Sequence, residues 1–134
     1  MRKFGVKLRD ISFYSKKNRD IIRVHCRSAR KYAEKLETDL SVKTYLVNHR
    51  LDSAFMSRID HVDIRKEYFT QDWSTDFVVT MQEGSVLVCE LATMKELQSR
   101  ASIEKLELSR RYWMLKGCDS WKIIIVQEGG ADVC

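Results

Sequence analysis

The apolar residues of this chain recur with three spacings, and each spacing predicts a different kind of element. ISFYS and IIRVHC alternate or run apolar on either side of the polar KKNRD, which predicts a hairpin with a basic tip. From Ala29 the period lengthens. Ala29, Tyr32, Ala33 and Leu36 fall at i, i+3, i+4 and i+7, so a helix is expected from Ala29 to about Glu37, with Ser28 as its cap. VKTYLV reads as a strand, residues 49–62 as a short helix or a loop, and VDIRKEYF as a further strand. FVVTM and VLVCEL then flank the turn QEGS as a second hairpin. Residues 95–116 carry a stripe of Leu97, Ala101, Leu108, Tyr112 and Leu115, widened by Ile103, Leu106 and Trp113 and closed by Gly117 as C-cap. WKIIIV, from Trp121, has the continuous apolar run of a strand buried on both faces, and the tail QEGGADVC is expected to fray. This order predicts an α/β (α+β) fold with a mixed central sheet flanked by helices.

Composition narrows the class. At 134 residues, 44% hydrophobic and 32% charged, one domain with one core spanning 1–134 is expected. No apolar run approaches the ~20 residues of a membrane span, and no apolar segment follows the basic start. A cytoplasmic protein is therefore expected. Cys26, Cys89, Cys118 and Cys134 form no CxxC pair, which suggests thiols in a reducing compartment. The three histidines match no zinc spacing, and no Gly-rich phosphate loop is present. Charge is uneven: residues 1–31 hold eleven Lys/Arg against Asp10 and Asp20, a net +9, and the remainder carries −4. A basic arm and hairpin over about residues 1–25 points to a polyanionic partner, nucleic acid first; a solvated basic surface fits the same numbers.

The second hairpin holds the candidate chemistry. Centred near Glu83, it sets Asp76 opposite Glu90, within cross-strand reach. Two carboxylates beside a strand end are a geometry for a divalent cation, since Mg²⁺ is held by one or two carboxylates with water and phosphate. A polar strand end whose two acids face solvent gives the same pattern.

The stretch STDFVV, a short turn, VCELA, then IEKLELSRRYW and WKIIIV resembles TnsA, the endonuclease subunit of heteromeric transposases and a PD-(D/E)xK restriction-endonuclease-like nuclease. LETDLSVKTY resembles the family segment where a helix ends in Leu-Glu and a strand enters through Val. The likeness covers about residues 26–126 and the catalytic domain alone, so phage-encoded nucleases built on that domain are equally good relatives. It implies a bacterial host cell, a restriction-endonuclease-like fold, Mg²⁺ or Mn²⁺ as cofactor, and DNA as substrate in transposition or phage DNA processing. A homodimer or a partner transposase or phage protein is implied as well. Asp76 and Glu90 are the implied catalytic and metal-binding acids, with the Leu91 backbone carbonyl as a further ligand. Thr75 stands where the motif has proline. Two positions are blank: Ala29 where a helix glutamate is expected, and Ala92 where the motif lysine is expected. The resemblance thus implies a metal-dependent DNA endonuclease, here an inactivated variant if both alanines were introduced. A noncatalytic DNA-binding or assembly subunit is implied if they are natural. A third reading is an α/β domain in which both acids are merely polar.

In an active site of this kind the acids would hold the cation, and the lysine would orient the attacking water and stabilise developing negative charge. Arg2, Lys3, Lys7, Lys16, Lys17 and Arg19 are the expected phosphate contacts, with Arg27, Arg30 and Lys31 around Ala29 reaching the same strand. Arg110 and Arg111 read as a solvated helix face.

Overall fold

The computed structural model describes residues 1–4 and 10–127. Lys7 and the tail from 128 onward lie outside the described residues. The chain forms β1 (Arg2–Lys3), β2 (Ile11–Ser15), β3 (Asp20–Val24), α1 (Arg27–Thr38), β4 (Val42–Arg50), α2 (Ser53–Met56), β5 (Trp73–Met81), β6 (Val86–Thr93), α3 (Arg100–Lys116) and β7 (Ser120–Val126). β2 and β3 pair as the predicted basic-tipped hairpin, a sheet of their own. The main sheet is mixed. β4, β5 and β6 are antiparallel neighbours, β7 runs parallel to β6, and β1 pairs with the start of β5.

Each face of the sheet carries its own core. Under α1 lie Ala29, Ala33, Leu36, Tyr45, Phe77 and Leu91, against which Phe13 and Ile22 of the first hairpin pack. Under α3 lie Trp73, Val78, Val88, Leu108, Tyr112 and Trp113. The alternation of β5 and β6 explains the split: Phe77 and Val79 face α1, whereas Val78 and Val88 face α3.

α1 starts two residues before the expected Ala29. Cys26 is its N-cap, accepting a hydrogen bond from the Ala29 N–H at 3.5 Å; it is disulfide-bonded, which corrects the expectation of thiols throughout, and among the described residues Cys89 and Cys118 are the free ones. α3 is shorter than expected. Ser99 caps it through Oγ, residues 96–98 form a separate 3₁₀ turn, and Ile103 and Leu115 are about half exposed. Gly117 ends the helix in the left-handed region at φ 89°, as its C-cap assignment requires.

Two expected strands are corrected. VDIRKEYF is not a strand but a loop with a 3₁₀ turn over Lys66–Thr70. Asp63 has φ 65°, which breaks extended backbone, and Ile64 and Tyr68 are buried side chains of a segment crossing the core beneath α3. β7 is a strand but not one buried on both faces. It is the last strand of the sheet, and Ile125 stays half exposed.

Candidate functional site

The second hairpin has the expected register. Thr80 pairs with Val86 and Phe77 with Cys89, so the next step places Asp76 opposite Glu90. The turn closes with the Met81 N–H on the Ser85 carbonyl and Gly84 at φ 99°. Backbone pairing between β5 and β6 stops at Phe77. β5 continues instead against β1, with Ser74 facing Arg2 and Trp73 facing Lys3.

Where the two strands part, the acidic side chains take over the ladder. The Asp76 N–H donates to Glu90 Oε1 at 2.9 Å, and the Leu91 N–H donates to Asp76 Oδ2 at 2.7 Å. Each carboxylate thus accepts from the opposite strand. Glu90 Oε2 also accepts from the Thr75 hydroxyl at 3.1 Å and from the Ser109 hydroxyl of α3. Those hydroxyls are fixed in turn: the Trp113 indole N–H donates to Thr75 Oγ1 at 2.7 Å, and the Trp121 N–H to Ser109 Oγ at 3.1 Å. Glu90 is 0% exposed and Asp76 5%.

The compensating charge comes from residues 1 and 2. The Met1 ammonium lies 3.4 Å from Glu90 Oε1 and 4.0 Å from Asp76 Oδ2. The Arg2 guanidinium donates to the Leu91 carbonyl at 3.2 Å and pairs with Glu96 at 2.7 Å. Burial pushes the Glu90 carboxyl above its ordinary value, and Asp76 adds to the rise; the Met1 ammonium and the Ser109 hydrogen bond oppose it. Burial likewise opposes the Arg2 charge, but the hydrogen bond to Glu96 and the field of Asp76 outweigh it and hold the guanidinium above its usual value.

The donor set does not fit Mg²⁺ as it is arranged. Both Glu90 oxygens are occupied by protein donors, the Leu91 carbonyl is engaged by Arg2, and Glu90 has no exposed surface for the water shell that Mg²⁺ keeps. Among the described residues no group of three or more His, Cys, Asp or Glu is placed to hold a metal ion.

Only one of the two blank positions lies by the pair: Ala92, two residues after Glu90 on β6, shares its face, and Ala29 does not. Ala29 is buried in the cluster under α1, with Cys89 and Leu91. Ala92, 2% exposed, lines a cavity of about 40 Å³ with Met1, Arg2, Lys105 and Leu106, on the α3 side. Alternation of Leu91 and Ala92 puts the two alanines on opposite faces of the sheet.

The expected phosphate contacts divide as well. Lys3, Lys16, Arg19, Arg27 and Lys31 are exposed. Lys17 is structural: its ammonium donates to the Asp39 carbonyl at 2.7 Å and the Val42 carbonyl at 2.5 Å, tying the first hairpin to the end of α1. Arg30 lies over the Phe13 ring at 4.0 Å and near Glu34. Arg111 is not merely solvated, since it donates to the Asp60 and Val62 carbonyls at 2.9 and 2.7 Å.

Sequence reasoning missed Met1, Ser109 and Glu96, and it gave Arg2 to DNA rather than to the acids. Ser109 left one trace, a hydroxyl residue inside the apolar stripe of α3 beside Leu108 and Tyr112. No protein-family model and no curated protein matches this chain.

Proposed function

We propose that this chain is a nucleic-acid-binding module with the architecture of a TnsA-like metal-dependent DNA endonuclease, and that as it stands it binds DNA without cutting it. The observation that carries this reading is the state of Glu90. Its carboxylate is buried, every oxygen accepts from the protein, and the charges of Met1 and Arg2 stand where a divalent cation would be needed. Ala92 supplies no amine beside it. The binding half of the reading rests on the exposed Lys3, Lys16, Arg19, Arg27 and Lys31 of a chain with pI near 9.1. The test is a pair of assays on the purified chain: anisotropy of labelled DNA over a salt series, and nicking of supercoiled plasmid with Mg²⁺ or Mn²⁺. Salt-sensitive binding without nicking is expected, and nicking by the unaltered chain overturns the proposal.

A second reading is an endonuclease silenced at two positions, favoured by the register that brings Asp76 and Glu90 together. It requires that the double variant Ala29→Glu, Ala92→Lys fold and nick the plasmid. A folded double variant without nicking leaves the noncatalytic module, acting in assembly or DNA capture.

A further inference from the structure

α1 presents two kinds of surface. Its apolar residues enter the core, but Ser28, Lys31, Tyr32 and Lys35, again at i, i+3, i+4 and i+7, line a groove closed on its other side by Ile124–Gln127 at the end of β7. The groove measures about 280 Å³. It runs beside the Glu90–Thr93 segment of β6, because Leu91 pairs with Ile124 and Thr93 with Val126.

No acidic residue lines this groove among the described residues, although the chain has 19 Asp and Glu. The acids of α1 and its C-cap are engaged elsewhere. Glu34 pairs with Arg30 at 3.7 Å, Glu37 accepts from the Ser15 and Tyr45 hydroxyls, and Asp39 accepts from Ser41. Lys31 and Lys35 are both exposed and sit one helical turn apart, with about 5–6 Å between their Cβ atoms. Two ammonium groups a turn apart, facing an apolar strand edge, suit a chain that alternates phosphates with less polar sugars.

We propose that the α1–β7 groove holds the phosphodiester backbone of a nucleic-acid strand, with Lys31 and Lys35 on neighbouring phosphates and the Ile124–Val126 edge against the sugars. Lys35 was not among the expected DNA contacts, and the β7 edge had no assigned role. The inference rests on the nucleic-acid-binding reading and names the surface that does the binding.

The experiment measures the salt dependence of DNA binding by anisotropy, using a labelled single strand and its duplex. Each neutralised phosphate contributes about 0.7 to the slope of log K against log salt for a single strand and about 0.9 for a duplex. The variant Lys31→Gln, Lys35→Gln is expected to flatten the slope by about 1.4 on the single strand or about 1.8 on the duplex. A control, Lys43→Gln, Lys66→Gln, removes two exposed lysines outside the groove and is expected to leave the slope near that of the unaltered chain. The groove assignment is overturned if both double variants shift the slope equally. Failure of the unaltered chain to bind either DNA instead removes the binding reading itself, so the two failures are told apart.

Discussion

Glu90 concentrates the residue-scale problem, a fully buried carboxylate on a strand of the central sheet. Breaking such a site from one side leaves uncompensated charge or unpaired donors. Glu90→Ala is therefore expected to cost about 3–5 kcal/mol, read from urea unfolding. The pH response has a definite sign. The folded state raises the Glu90 carboxyl above its ordinary 4.5, so the folded chain holds its proton more tightly than the unfolded chain. That contribution is complete below the ordinary value and is lost as pH rises through the raised one. Glu90→Gln cannot titrate, so its stability relative to the unaltered chain should improve as pH rises above the ordinary 4.5; a flat or falling difference overturns the account. Ala92 gives a companion test. It is 2% exposed and sits beside Met1, Arg2 and Leu106, so Ala92→Lys is expected to cost about 1–3 kcal/mol by overpacking. A variant as stable as the parent would mean that the position accepts a lysine, as the silenced-endonuclease reading needs. The Asp76–Glu90 partnership was legible because a tight turn fixes the register of the strands it joins. Its surroundings were not: Met1 and Ser109 reach Glu90 from 89 residues before it and 19 after it, a distance no local pattern spans.

At the scale of elements, periodicity identified what local spacing determines and failed where tertiary context decides. Both hairpins, α1, β4 and the body of α3 follow from their own apolar spacing. β7 was expected to be covered on both faces because Ile123–Val126 is uniformly apolar, yet an apolar run records composition and not a place in the sheet. Only the topology makes it the edge, with β6 on one side. VDIRKEYF alternates like a strand, but a left-handed Asp63 and the ion pair of Arg65 with Glu104 at 3.1 Å hold it as a loop under α3. The end of α3 is the element where sequence and structure agree most closely, and it yields a prediction. Gly117 adopts φ 89° while its N–H and that of Cys118 donate to the Met114 and Trp113 carbonyls at 3.1 and 3.0 Å. No atom would obstruct a Cβ there, so the cost of Gly117→Ala is conformational alone. It should be about 1 kcal/mol, lowering the thermal midpoint by roughly 2–6 °C. A variant at least as stable as the parent would show that the cap is not held in the left-handed region in solution.

Across the whole molecule, the net +9 of residues 1–31 is not one surface. Arg2 turns inward to the acids, Lys17 locks a hairpin to a helix end, and Arg30 covers Phe13. On the proposed nucleic-acid-binding reading, the exposed Lys3, Lys16, Arg19 and Lys31 are what an incoming phosphate would meet. Counting charge along the sequence could not separate these groups, because the separation depends on which carbonyls and carboxylates the fold brings to each side chain. Arg2 is the decisive case, since it joins the fold to the candidate site. Its guanidinium bridges the Leu91 carbonyl and Glu96, and it holds β1 against β5 beside the buried pair. Arg2→Ala removes that charge without touching Asp76 or Glu90. It leaves Glu96 and the Leu91 carbonyl without their cation, so a loss of about 2–3 kcal/mol is expected. The same change vacates positions that a hydrated divalent cation can share. Millimolar Mg²⁺ should therefore recover part of the thermal stability in Arg2→Ala while leaving the unaltered chain unmoved, by the ordinary linkage of binding to the folded state. Equal responses from the two proteins would mean that Arg2 does not stand in for a cation. An unaltered chain stabilised by Mg²⁺ would return the acidic pair to the metal-site reading that its register first suggested.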